Sequence, residues 1–456
     1  MKGLFSEFKG STLQEWNEKI IADLKGKSVN ALFWQNPDHI DIPPVFHQES
    51  LPKLKGGTTH HHSNWEIEQS LYQAGNKNIL KSLNEGATGL LLGDIPAHEM
   101  EKVLENVLIQ HIQTSFHFSS EKDRFDEFIK LIQKRKLDPN SIRGSLHYDP
   151  LMDSLKKGGF QSDLWDQFRS IQNKVNGLPK FKGICIQGHE YLNAGGTVTQ
   201  ELAFTLAQIS EYFACDSELR STKIRVSLGI STNYFFEIAK FRAMRILWSE
   251  ILKAYQKEDS ELDLRAETGK RNATLYDPHV NLLRATSQAM SAALGGANII
   301  NIHSYNASFK KQNQFGERLS RNISLILKEE AQLNRVSDPS AGSYYIEYLT
   351  NELSQNAWKL FKEIEANGGW IKCVQKNVIQ DSLEKSATQQ EKSFAQGKLS
   401  LLGTNLFPNE NEKMVDELEI SLEDRPKDES DFKTIKVSRL STQMDRERIA
   451  REGNHA

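Results

Sequence analysis

Short apolar runs alternating with segments of helical periodicity constrain this chain more than any other feature. The runs are TGLLLGD (88–94), TSFHFSS (114–120), SIRGSLHYD (141–149), FKGICIQG (181–188), KIRVSLGIS (223–231), LDLRAET (262–268) and ANIINIHS (297–304), with a shorter candidate near RVSD (335–338). Between them, Met244, Leu247, Trp248 and Ile251 fall at i, i+3, i+4 and i+7, which predicts one buried helix face. Phe315, Leu319, Ile323 and Ile326 make a similar stripe after ANIINIHS. Repeated strand–helix units place parallel strands in one sheet with helices packed outside. Eight units suggest closure into a (β/α)8 TIM barrel, although periodicity alone fits an open doubly wound sheet equally well.

A length of 456 residues suits one barrel with appendages. The net charge of −3 and the mixing of Lys with Glu argue against a nucleic-acid partner. Cys185, Cys215 and Cys373 share no CxxC or Cys/His spacing and read as reduced thiols. The opening MKGLFSEFKGSTLQEW lacks a signal-peptide core, and no apolar run approaches the roughly 20 residues that span a bilayer. These features predict a cytoplasmic protein. His60, His61 and His62 stand together in GGTTHHHSN without a second ligand cluster, so a polar loop is expected there and no metal. The glycine pairs form neither a GxGxxG nor a P-loop pattern.

The stretch DPHVNLLRATSQAMSAALGGAN, followed by ERLSRNISLILKEEAQLNRVSDPSAGSYYIEYLT, closely resembles the substrate-domain signature of the methylmalonyl-CoA mutases. That resemblance extends over nearly the whole chain to about residue 408 and favours the closed barrel over the open sheet. It divides the chain into an N-terminal extended arm (1–65), the barrel (66–349), a C-terminal helical segment (350–408) and an acidic tail (409–456). In the family the arm helps to join two subunits. The tail is low in aromatics and is expected to be mobile or extended.

Catalytic groups of a barrel enzyme lie at the C-terminal ends of its strands, and there the likeness fails. Where the active mutases carry a Gly-Tyr-His run, this chain has Gly188, His189 and Glu190. The following GGTVTQELAFTLA matches without gaps, which puts Glu190 in place of the histidine that donates to the substrate's thioester carbonyl. An ionised carboxylate cannot donate to developing negative charge. In LRAETGKRNATLYDPHVN, Arg265 is kept, and Glu267 with Lys270 is expected to form a solvated ion pair. The family's HTNxxDEA loop becomes Asn301, Ile302 and His303, then Asn306 and Ala307 where Asp and Glu belong. His303 reads as a structural histidine.

The cobalamin signature DxHxxG is not met. Asp277-Pro278-His279 lacks its glycine and opens a helix instead of lying in a flavodoxin-like domain. The resemblance therefore implies a degenerate site at His189, Glu190, Asn301, His303, Asn306 and Ala307, with no catalytic, cofactor or metal residue in this chain. It implies the small, inactive partner of a heterodimer whose large catalytic subunit binds adenosylcobalamin and interconverts methylmalonyl-CoA and succinyl-CoA in propionate metabolism. Two other readings compete. A split mutase would keep the Tyr-His and HTNxxDEA positions. A free-standing acyl-CoA-binding barrel would keep a channel lined by small polar residues, whereas Phe116, Ile299 and Ile300 would fill it if they pointed inward.

Overall fold

The computed structural model describes residues 10–34, 36–50, 63–72, 75–93, 95–117, 123–421 and 430–453. Nine parallel strands form the barrel: β1 Glu66–Tyr72, β2 Gly89–Gly93, β3 Gln113–His117, β4 Gly144–His147, β5 Phe181–Lys182, β6 Ile184–Gln187, β7 Ile224–Ile230, β8 Asp263–Thr268 and β9 Ile299–Asn301. Their order is β5-β4-β3-β2-β1-β9-β8-β7-β6. β5 and β6 are two halves of one barrel strand interrupted at Gly183, so pairing Gly144 with Phe181 on one side and Ile184 with Ile224 on the other brings the sheet round to near closure. The triple histidine at 60–62 lies outside the described residues.

The strand count was eight for a partly wrong reason. β1 carries Glu68, Gln69 and Ser70 in its middle, and their polarity hides it from a search for apolar runs. Glu68 and Gln69 are nevertheless buried. The candidate near 335–338 is no strand. Val336 is exposed, and Asp338 takes a positive φ of 43° in a turn before helix Tyr344–Ala366. Asp338 pairs there with buried Arg242, which also binds Glu347 at 2.7 Å. Each strand counted from 88 onward is consequently one place later in the barrel.

Met244, Leu247, Trp248 and Ile251 are all buried on helix Tyr234–Ala254. That helix is enclosed on nearly every side because helix Tyr344–Ala366 packs over it. Buried Lys240 ties it to the neighbouring helix Val198–Cys215 by meeting Glu201 at 2.7 Å, and it also meets Glu237 of its own helix at 2.6 Å. The second apolar stripe holds only in part: Ile323 is buried in the core and Leu319 half-buried. Phe315 and Ile326 are exposed, and helix Gln314–Leu325 turns Glu317, Ser320 and Arg321 inward. The inward choice follows from polar partners, because Arg321 reaches Gln69 of β1 at 3.2 Å and also pairs with Glu85.

Gly144 has φ 148°, and a Cβ there would lie 1.9 Å from the Thr114 carbonyl oxygen. Only glycine lets β3 and β4 approach this closely. In the arm, Asp38 accepts from the Thr199 amide at 2.6 Å at the start of helix Val198–Cys215. Beyond the helical segment, the tail crosses the barrel mouth, and its helix Thr442–Gly453 ends the described chain. Despite its acidic composition it buries Met414, Phe432, Ile435 and Leu440. Arg271 fastens it by donating to the Ser438 hydroxyl at 2.8 Å. No helix of the described residues is long and apolar enough to cross a membrane.

Candidate functional site

Alternation along the strands decides what enters the lumen. In β7, Ile224, Val226 and Leu228 face the helices, which leaves Arg225, Ser227 and Gly229 for the interior. β8 does the same with Asp263, Arg265 and Glu267. Phe116 and Ile300 also belong to the outer set, with Phe116 packed on Phe128 of the surrounding helix Asp123–Lys134, whereas Ile299 pairs beside Arg265 and shares its inward side.

Two guanidinium groups span the interior. Arg225 donates to the Ser145 hydroxyl at 2.8 Å, to Gln113 at 2.8 Å and to Asp263 at 3.0 Å. Arg265 donates to Glu68 at 2.6 Å, to the Ser227 hydroxyl at 2.9 Å and to Glu267 at 2.5 Å. Arg225 and Arg265 are 1% and 0% exposed, so their charges are enclosed in the barrel axis. Small polar residues do line this lumen, and the arginines occupy the space between them.

At the C-terminal mouth, β6 ends at Gln187 and the chain turns at Gly188 into the short helix His189–Asn193. A Cβ on Gly188 would lie 2.4 Å from the Thr205 hydroxyl, so the turn is pressed against the outer helix. His189 and Glu190 are both buried and close together, with Nε2 3.9 Å from Oε1. Glu190 binds Lys156 at 2.7 Å. Burial opposes its charge, but His189, Lys156 and Lys270 outweigh that and hold its carboxyl at about 2. Burial pushes His189 down, and its Nδ1 is buried with no hydrogen-bond partner.

Tyr191 is turned away from the mouth. Its hydroxyl donates to Gln208 at 2.9 Å and accepts from the Trp370 indole at 2.8 Å. Asp149 holds the strand end in place by accepting the Gln187 amide at 2.7 Å and the Tyr212 hydroxyl at 2.7 Å. Burial raises its carboxyl to about 7.

Glu267 joins the two sides of the mouth. Its Oε1 is 2.9 Å from His303 Nε2 and 3.8 Å from His189 Nε2. Burial works against its ionised form, yet His189, Arg265 and His303 hold it well below the usual carboxylate range. The expected pair with Lys270 is therefore wrong: Glu267 is buried on Arg265, while Lys270 is exposed in the loop beyond. A two-residue strand period, which turns Arg265 and Glu267 to the same side, was the missed signal.

The structure brings His189, Glu190 and His303 together around Glu267. Asn301 sits deeper, donating to the Ser70 hydroxyl at 2.8 Å. Asn306 is a turn residue whose carbonyl accepts from Phe309 and Lys310, and Ala307 lines a cavity that His303 and Thr268 also border. His279 stacks on Tyr305 with ring centroids 5.1 Å apart. Among the described residues no three His, Cys, Asp or Glu side chains are placed to hold a metal. Sequence reasoning missed Arg225, Lys156 and buried His147, whose Nε2 is also without a partner. The mouth thus offers fixed carboxylates and a desolvated imidazole around an arginine-filled axis.

The sequence model of methylmalonyl-CoA mutase matches residues 67–451. A methylmalonyl-CoA mutase small subunit of Porphyromonas gingivalis is 32% identical, over 92% of this chain and 73% of its own length. One of Streptomyces virginiae is 25% identical, over 91% of this chain and 73% of its own length. A methylmalonyl-CoA mutase of Rhizobium meliloti is 27% identical, over 94% of this chain and 67% of its own length. With a barrel of the expected class and a match over most of its residues, the chain belongs to the methylmalonyl-CoA mutase family.

Proposed function

We propose that this chain is the small, non-catalytic subunit of a heterodimeric methylmalonyl-CoA mutase. Its large partner supplies the adenosylcobalamin-dependent isomerisation of methylmalonyl-CoA and succinyl-CoA in propionate metabolism, in the cytoplasm. The observation that carries the reading is the pair of buried arginines lying across the lumen. An acyl-CoA threaded along the axis would have to break their ion pairs, and removing one partner from a buried pair costs roughly 3–5 kcal/mol. This argument also weighs against a free-standing acyl-CoA-binding barrel. The altered mouth weighs against a split mutase, because Glu190 and Glu267 present negative charge where a donor is needed.

Adenosylcobalamin does not fit this chain's own residues. The histidine of its sole DxH run stacks on Tyr305, and the tail lies across the mouth. The cofactor is therefore assigned to the partner. The division into arm 1–65, barrel 66–349, helical segment 350–408 and tail 409–456 stands with this reading. Trp16, Ile21, Leu32 and Trp34 of the arm are exposed, as residues awaiting a partner surface would be.

The test is to purify the chain alone and with its large partner, then assay mutase activity and cobalamin absorbance. The reading requires an inactive, colourless chain and an active one-to-one complex. Activity of this chain with only a small cobalamin protein would establish the split mutase instead.

A further inference from the structure

At the end of the barrel opposite the mouth, one lysine carries its charge into the interior without an acidic partner. Lys223, just before β7, is 3% exposed, and lysine is seldom enclosed unless its charge is paired. Its ammonium instead donates to four main-chain carbonyls: Leu178 at 2.6 Å, Val175 at 3.2 Å, Pro179 at 3.3 Å and Phe181 at 3.4 Å. The charged groups that act on it, Lys182 and Arg220, are both positive, and burial together with them pushes it down to about 8. Carbonyl dipoles alone answer its charge.

The chain supplies those carbonyls from one short stretch. Val175 ends helix Leu164–Val175, whose carbonyl end carries partial negative charge, and the turn after it brings in Leu178 and Pro179. Two of the four already close that turn by accepting the Leu178 and Phe181 amides, so the lysine takes their second lone pairs. A ring of carbonyl oxygens around one positive charge is how proteins replace the water shell of a monovalent cation such as potassium. Divalent ions favour carboxylates, and all four oxygens here are neutral.

The ring lies at the seam of the barrel. β5 pairs with β4 and β6 with β7, and the strand is interrupted between them at Gly183. Lys223 crosses that break, because its ammonium holds Phe181 of β5 while its own carbonyl accepts the Gly183 amide at 3.0 Å. Lys182 returns the contact by donating to the Thr222 carbonyl at 2.8 Å. We propose that the carbonyls of Val175, Leu178, Pro179 and Phe181 form a monovalent-cation site that this chain fills with its own Lys223 ammonium, locking the barrel at its seam. The site belongs to the frame of the barrel and is independent of the subunit's role.

The experiment empties the site. Lys223→Ala opens the ring in the full chain, and thermal melts are compared in potassium chloride and tetramethylammonium chloride at equal ionic strength, which holds screening constant. The variant is expected to melt several degrees below wild type, because its carbonyls lose a charged donor. Potassium is expected to restore part of that loss and to level off as its concentration rises, as a bound ligand does. Tetramethylammonium, too large for the ring, restores nothing. Wild type and Lys223→Met, whose side chains fill the ring, are each expected to melt at the same temperature in the two salts. If Lys223→Ala folds only in salt, its refolded yield in the two salts gives the same comparison. An unchanged midpoint in Lys223→Ala, or equal midpoints or yields of that variant in the two salts, would overturn the proposal, as would an equal potassium response in Lys223→Met.

Discussion

Arg265 on β8 donates through Nε to Glu68 on β1 at 2.6 Å, bridging two strands that have β9 between them. Neither side chain is solvated, so each charge depends on the other. Glu68→Gln removes one partner and leaves Arg265 with Glu267 alone. The expected loss is about 3–5 kcal/mol in urea denaturation. A loss under about 1 kcal/mol would mean that the lumen network is not held by this pair.

Restoring a single motif residue should not restore chemistry. Glu190→His puts an imidazole at the family's position while Arg225 and Arg265 still cross the axis. Assayed alone with adenosylcobalamin, this variant is expected to show no mutase turnover. Measurable turnover would place the defect in Glu190 and refute the blocked lumen.

Glu190 makes a pH signature. Its carboxyl is held at about 2 in the folded protein, below the ordinary 4.5 expected on unfolding. Its stabilising contribution is therefore complete above pH 4.5 and is lost as pH falls toward 2. Asp149 and Glu201, both raised to about 7, have the opposite sign: their contribution is present below about pH 4 and disappears as pH rises through 7. Wild type and Glu190→Gln should thus differ by up to about 3 kcal/mol near neutrality and converge in acid. Parallel stability curves from pH 6 to 3 would refute this assignment.

Gly188 leaves no room for a methyl group. In Gly188→Ala the new Cβ meets Thr205 Oγ1 and, at 3.1 Å, Leu228 Cδ2 and the Ser227 carbonyl oxygen. Overpacking of this kind costs roughly 1–3 kcal/mol. Thermal melts should show a lower midpoint, and an unchanged one would mean the turn relaxes freely.

Arg271 is the rivet of the tail. Besides Ser438 it reaches Gln390, the Ala387 carbonyl and Glu391, each at 3.2 Å. Arg271→Ala should leave the barrel folded while residues 430–453 become several-fold more sensitive to limited proteolysis. Equal cleavage rates in the two proteins would show that Phe432, Ile435 and Leu440 suffice to seat the tail.

The parts of the architecture legible in sequence were those where burial and apolarity coincide. β2, β6 and β7 are apolar runs, and helix Tyr234–Ala254 buries the stripe its periodicity marks. β1 was invisible because its interior residue Glu68 is a charge neutralised by Arg265, nearly two hundred positions away. Exposed Phe315 and Ile326 misled in the opposite direction, since their helix docks through Arg321 instead. At the site, the motif positions located His189, Glu190 and His303 at one mouth. The partners were hidden: the two-residue strand period groups Arg265 with Glu267 on one face, but only the fold shows that this face is the buried lumen and leaves Lys270 outside it.

The crossed arginines have a mechanical consequence. A barrel that takes a guest along its axis must let opposite strands part and return. Here the axis is bolted: Arg225 fastens β7 to β3 and β4, and Arg265 fastens β8 to β1. Such a cylinder resists breathing and presents its outer faces at constant spacing. Under the proposed function, such a cylinder is a stiff jig, against which a moving partner can open and close without losing its alignment.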